Sequence, residues 1–195
     1  MLMRTTLKPK KCRECGVIFA PARSMQKVCS PVCAIALTEK DKARKVARAQ
    51  RAERKSLREA LEKAKTRGTH LRELQAVFNR WIRARDAALP CISCDRPATW
   101  DGQWHASHFK SVGHAPALRF EPLNVHKACS VCNRHLGGNY AGYKPRLIVK
   151  IGEDKVDWLE GPHGPLKITI PEIQELKAFY RAELRKIANN HTETR

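Results

Sequence analysis

Cys91-Ile92-Ser93-Cys94 opens, and Cys129-Ser130-Val131-Cys132-Asn133-Arg134-His135-Leu136-Gly137-Gly138 closes, the stretch on which the fold turns. Two Cys-x-x-Cys pairs supply the four tetrahedral ligands of a structural zinc ion, because a two-residue gap lets both sulfurs of a pair reach one ion from a tight turn. The 34 residues between the pairs exceed the usual gap of a zinc ribbon, so the site clamps an insertion. That insertion carries His105, His108, His114, Asn124 and His126.

Within it, residues 98–105 read as two short strands around Asp101-Gly102, a pair that favours the positive φ angles of a hairpin turn. Residues 111–124, with two prolines and a glycine, read as an irregular loop. Residues 125–136 read as a short helix stopped by Gly137-Gly138. The expected order is strand, strand, loop, helix.

With His108 ending the second strand, Asn124 in the loop and Asn133 just after the second cysteine pair, this layout resembles the zinc-bearing HNH nucleases and their ββα-metal fold, phage endonuclease VII among them. The motifs Phe78-Asn79-Arg80-Trp81-Ile82-Arg83-Ala84-Arg85-Asp86, Ala106-Ser107-His108-Phe109 and Cys132-Asn133-Arg134-His135-Leu136-Gly137-Gly138-Asn139 resemble the lambdoid phage NinG family, also called Rap. That resemblance covers roughly residues 70–145. It implies a structure-directed endonuclease that cuts branched recombination intermediates such as D-loops and four-way junctions, in the host cytoplasm if phage-encoded.

The whole chain has 195 residues, enough for one substantial domain or two small ones. Its 38 basic against 19 acidic residues leave +19, which favours phosphate backbones and makes nucleic acid the leading partner. No apolar run is long enough to span a bilayer, and the first residues lack the apolar core of a signal peptide, so a cytoplasmic protein is expected. In a reducing compartment, eight cysteines in four close pairs fit thiolate metal ligands better than disulfides.

The expected class is α+β, a zinc-stabilised ββα-metal core with additions on both sides. Residues 1–33 hold Cys12, Cys15, Cys29 and Cys33, a second zinc site in a knuckle of charge +6 that serves either as a contact module or as a structural cap. Residues 34–67 lack proline and glycine and carry 12 basic against 5 acidic residues, which predicts one long basic helix of about 50 Å at 1.5 Å per residue. Its apolar stripe, Val46, Leu57 and Leu61 among alanines, is too thin for a coiled coil. Gly68 and Thr69 are expected to break it and cap the next helix.

Residues 68–145 form the expected core, with Leu71, Leu74, Phe78, Trp81 and Ile82 on one helical face and His70 at the surface. Residues 146–188 read as a hairpin, from residues 146–151 and 166–170, followed by a helix opening at Pro171, and residues 189–195 as a frayed tail. Residues 89–143 carry only +2, against +13 for the first 67. Sequence-independent affinity is therefore expected from the N-terminal arm, through release of counterions from phosphates.

For the chemistry, His108 is the expected general base, because imidazole titrates near neutrality. Asn133 is expected to hold a divalent ion, Mg²⁺ or Mn²⁺, and Asn124 to fix the loop beside His108. Ser107 stands where many relatives carry a metal ligand; His105, on the same strand face, either replaces that ligand, which would favour Mn²⁺, or is a satisfied strand histidine. Lys110, Arg119, Lys127 and Arg134 are the candidate phosphate contacts. Paired cuts in a junction imply a homodimer, and a third reading is an adaptor whose long helix docks a recombination or replication protein. A zinc protein that binds nucleic acid without cutting it is the competing reading.

Overall fold

The computed structural model describes residues 7–193, and the chain divides into two compact units, Met1–Ala64 and Lys65–Arg195. The architecture is mixed α and β, mostly helical with two small sheets. No helix among the described residues is long and apolar enough to cross a membrane.

In the first unit, β1 (Lys10–Lys11) pairs antiparallel with β2 (Ile18–Phe19), and α1 follows over Pro31–Ala64. Ser30 caps α1: its Oγ accepts from Cys33 N at 3.2 Å, and Pro31 occupies the first helical position, where its missing N–H costs nothing. The helix therefore begins before residue 34 and carries Cys33 in its first turn. None of its 34 residues is buried, as the thin apolar stripe implied.

The second unit starts with α2 (Arg67–Arg85). The cap is Thr66, whose Oγ1 accepts from Thr69 N at 3.3 Å, so the break lies two residues before the expected Gly68. Leu71, Leu74, Phe78 and Ile82 are buried as their spacing predicted. His70 is buried too, correcting its expected surface position, because it lies one turn before Leu74 on the same face.

The sheet differs from the expected hairpin. β3 (Trp104–His108) pairs antiparallel with β4 (Val125–Cys129), Ser107 opposite His126 and His108 opposite Val125. The second strand thus occupies the start of the predicted helix, and His108 ends the first strand of the pair. Asp101-Gly102 is not the hairpin turn: a Cβ on Gly102 would lie 2.1 Å from the Trp100 indole, so glycine admits the ring against the backbone. The helical part shrinks to one π-helical turn, Val131–His135, ended by Gly137, Gly138 and Asn139, all at positive φ.

The C-terminal hairpin does not form. Residues 146–151 are the second half of α3 (Tyr140–Ile151), α4 spans Glu153–Glu160, and residues 166–169 lead unpaired into α5 (Ile170–Glu193). The run Leu147-Ile148-Val149 looks β-like, but Tyr143 and Leu147 are buried at helical spacing and Val156 and Leu159 continue their cluster. Thr169 and Glu172 form a capping box, Thr169 N donating to Oε2 at 2.7 Å, and α5 runs through residues 189–193 of the expected tail.

The β3–β4 pair stands between two cores. On one side α2 and α5 pack Leu74, Phe78, Ile82, Ile173 and Tyr180 with Val125; on the other α3 and α4 pack Tyr143, Leu147, Val156 and Leu159 with Phe109 and Ala128. Phe78 meets Tyr180 with ring centroids 5.0 Å apart and edge-on, as the ring quadrupoles prefer.

Candidate metal centres and hydrolytic site

Cys91 and Cys94, on the turn after α2, meet Cys129 at the end of β4 and Cys132 in the π turn, with all four Sγ atoms within 4.8 Å of one another. All four are free thiols, and Cys94 Sγ lies 3.8 Å from Cys129 Sγ. A tetrahedron with zinc–sulfur bonds of about 2.3 Å has edges of about 3.8 Å, whereas a disulfide needs about 2.05 Å. The cluster fits zinc. Backbone N–H groups of Ser93 and Cys129 donate to Cys91 Sγ at 3.4 and 3.3 Å, and Arg96 Nη1 donates to Cys129 Sγ at 2.9 Å. Against the burial that pushes it up, the Cys132 N–H and the Arg96 guanidinium help pull the Cys129 thiol down to about 7, toward the thiolate a metal requires.

Cys12, Cys15, Cys29 and Cys33 form an equivalent group in the first unit, with Cys15–Cys29 and Cys29–Cys33 sulfur separations of 3.5 and 3.6 Å. Both predicted four-cysteine sets can therefore hold zinc.

Asn133, fixed by its neighbour Cys132, reaches β3: its Nδ2 lies 3.0 Å from His105 Nδ1. The two residues expected at the catalytic ion, His105 and Asn133, thus lie within hydrogen-bond distance of each other, a contact that also fits the alternative of a strand histidine satisfied by a hydrogen bond. Burial lowers the His105 pKa, and the nearby cations Arg134 and Arg83 lower it further. Among the described residues, no group of three His, Cys, Asp or Glu ligands forms around this pair. Ser107 is buried, and its backbone carbonyl accepts from the Tyr143 hydroxyl at 2.9 Å.

At the end of β3, His108 Nε2 lies 3.0 Å from the Arg119 carbonyl. A carbonyl only accepts, so Nε2 carries the proton and Nδ1 keeps a lone pair. Burial lowers the pKa of His108; the hydrogen bond to Arg119 opposes that and the Arg119 charge adds to it, and the net direction leaves the ring neutral at physiological pH. Asn124 is fully buried and holds the loop beside His108 closed. Its Oδ1 accepts from Lys110 N at 2.8 Å, and its Nδ2 donates to the carbonyls of Lys110 and Leu118, both at 3.0 Å. This is the loop-fixing position predicted for it.

The four expected phosphate contacts separate. Arg134 is exposed beside His105. Lys110 is half-buried, its backbone clamped by Asn124. Arg119 is half-buried, its Nε donating to Gln75 Oε1 at 2.8 Å. Lys127 is corrected outright: it is 3% exposed, its ammonium donates to the Ala87 carbonyl at 2.8 Å and lies 4.2 Å from the Trp104 ring centroid, so it braces the core.

Two groups escaped the sequence reading. Arg83 of α2 lies close enough to His105 to act on its charge, although helical spacing placed it merely off the buried face. Asp86 is 2% exposed and joined to Arg85 by two hydrogen bonds of 2.9 and 2.8 Å, to Lys150 at 3.1 Å and to Lys127 N at 3.1 Å. Burial pushes its pKa up, but His126, Arg85 and Lys150 outweigh that and hold the carboxyl far below the ordinary aspartate value. The adjacent Arg85-Asp86 pair in a motif ending a helix was the available signal.

A family model described as Bacteriophage Lambda NinG protein matches residues 4–190. Protein ninG of Escherichia phage lambda is 37% identical over 201 residues, covering 94% of this chain and 96% of the relative. Protein ninG of Escherichia phage 933W is 34% identical over 195 residues and that of Salmonella phage P22 36% over 201, each with 94% and 96% coverage. No solved structure matches the chain.

Proposed function

The chain belongs to the NinG protein family of bacteriophages, and from that premise we propose that it is a metal-dependent, structure-directed endonuclease that hydrolyses phosphodiesters in branched DNA such as D-loops and four-way junctions. The substrate class rests on the family resemblance. One observation carries the chemistry: Asn133, held by the four-cysteine cluster, meets His105 on the strand whose far end presents His108 as a neutral base. The arrangement of His105, His108, Asn124 and Asn133 supports an HNH-like site on an endonuclease VII-like core.

In this reading His108 Nδ1 takes a proton from the attacking water, whose oxygen bonds to phosphorus while the bond to the 3′ oxygen breaks. The Nε2–H bond to the Arg119 carbonyl fixes both ring orientation and tautomer, so that the lone pair is in place before substrate arrives. Asn124 acts as a positioning residue, holding the loop that flanks His108. Arg134 and Arg83 offset phosphate charge next to His105. Asn133 Oδ1 and His105 Nδ1 would hold a divalent ion, exchanging their mutual hydrogen bond for metal bonds; when bound, that ion supplies stabilisation of the leaving 3′ oxygen. An imidazole ligand and the absence of a carboxylate favour Mn²⁺ over Mg²⁺.

Ser107, in the place where many HNH relatives carry a metal ligand, supports the second reading of a nucleic-acid-binding zinc protein without hydrolysis. Labelled four-way junction, D-loop and linear duplex, each incubated with Mg²⁺, Mn²⁺ or neither, separate the two. Metal-dependent cutting confined to branched substrates supports the nuclease; tight binding with no cutting in any metal supports the scaffold. Paired cutting of a junction further requires a homodimer, read from the mass of the complex on DNA.

A further inference from the structure

The N-terminal unit carries a polar pocket outside the hydrolytic machinery. β1 and the loop over residues 23–27 enclose about 230 Å³, lined by Lys10, Lys11, Arg13, Met25, Gln26 and Lys27 among others, with no carboxylate in the lining. The frame beneath it is stitched by hydrogen bonds. Arg13 N donates to the Lys27 carbonyl at 3.0 Å, and Gln26 bridges the loop, its Oε1 accepting from Ala22 N at 2.8 Å and its Nε2 donating to the Val28 carbonyl at 2.9 Å. Cys29 N donates to Cys12 Sγ at 3.4 Å, which ties the frame to the N-terminal four-cysteine cluster. Lys10 is anchored by its ammonium on the Ser24 carbonyl. The single acidic residue between residues 7 and 30, Glu14, is ion-paired with Lys40 of α1.

We propose that this pocket binds a nucleic-acid backbone phosphate, making the knuckle a sequence-independent contact for DNA. Four cations line one concavity that has no carboxylate in its lining, and together they create a local positive potential that a phosphodiester neutralises. The helix after the knuckle favours a polyanion over an isolated carboxylate: α1 has no buried residue and carries further cations along its length, so successive phosphates can be met by one unit. This rests on the nucleic-acid reading above and deepens it, assigning a role to the first zinc site that does not involve hydrolysis.

The test uses the full-length, zinc-loaded protein with Lys11→Gln, Arg13→Gln and Lys27→Gln combined, and measures affinity for a labelled four-way junction from 50 to 300 mM KCl without divalent ions, roughly the range over which counterion release dominates. Each lost phosphate contact removes about 0.9 from the slope of log affinity against log salt, so the triple variant is expected to lose about 2 to 3. The charge-preserving variant, Lys11→Arg with Arg13→Lys and Lys27→Arg, is expected to keep the wild-type slope. Zinc content reports folding; if the triple variant loses zinc, single Arg13→Gln and Lys27→Gln variants decide, each with an expected loss of about 1.

A slope changed by less than about 0.5 in zinc-retaining variants overturns the proposal. So does saturable binding of inorganic phosphate or of polyglutamate that the variants lose while their DNA slope stays unchanged. Cutting of the junction at saturating protein is measured on the same preparations. An unchanged slope with intact cutting removes the pocket and leaves the nuclease; a reduced slope in a protein that never cuts does the reverse.

Discussion

His105 and Asn133 are separated by 28 residues of chain and meet with Nδ1 and Nδ2 3.0 Å apart, one contributed by β3 and the other by the turn that completes the second four-cysteine cluster. If they act together on one ion, removing either should cost most of what removing both costs. His105→Ala and Asn133→Ala are each expected to lower junction cutting by at least about 100-fold, the double variant falling little further, because each loss removes several kcal/mol of charge stabilisation that the partner cannot supply alone. Single-turnover rates of the three variants in Mn²⁺ check this. Additive losses would mean that the residues act separately.

The pH profile follows from His108. Its pKa lies below the ordinary histidine value of 6.5 because burial disfavours the charged ring. A base works only when unprotonated, so cutting is expected to hold steady as pH falls from 8 toward about 6.5 and to decline below the lowered pKa. An acidic limb centred above 6.5 would contradict the assignment.

Asp86 sets the stability of the core. The carboxylate is buried, pairs with the partly exposed Arg85 and Lys150 and with the buried His126, and accepts from Lys127 N, so Asp86→Asn removes the charge that these groups share. A loss of about 1 to 3 kcal/mol is expected, read as a lower urea midpoint at pH 7 with unchanged m-value.

The two zinc sites are expected to be separable. Wild-type protein should carry two zinc ions per chain, and Cys15→Ser and Cys94→Ser one each. The Cys94→Ser variant should lose cutting, since Asn133 is positioned by the cluster it disrupts, whereas Cys15→Ser should retain cutting at saturating protein. Metal analysis and junction cutting on the same samples check both statements.

The sequence was most legible where ligand chemistry or a buried stripe constrains spacing. Both cysteine sets and the α2 face from Leu71 to Ile82 could be read directly, the loop-holding place of Asn124 followed from the family resemblance, and the contact of His105 with Asn133 was not foreseen. Strand β4 could not, because Val125-His126-Lys127-Ala128-Cys129 is buried at every position and shows neither the alternation of a half-exposed strand nor a helical stripe. The same burial removed Lys127 from the phosphate contacts, since its ammonium is held by the Ala87 carbonyl and Trp104. In α3 the adjacent apolar residues Leu147, Ile148 and Val149 mimic a strand, and only the packing of Leu147 and Ile148 in the core shared with α4, with Val149 left exposed, shows the helix. The Asp86 cluster joins residues distant in sequence, which no local pattern records.

The most direct measurement of the central claim compares wild-type protein with His108→Ala on a labelled four-way junction in Mn²⁺, with zinc content and junction affinity determined on the same samples. The predicted result is cutting by the wild type that the variant loses by at least about 100-fold, while both bind the junction equally and carry two zinc ions. Equal cutting by the two proteins would remove His108 as the base, and no cutting by either would leave a zinc protein that binds branched DNA without hydrolysing it.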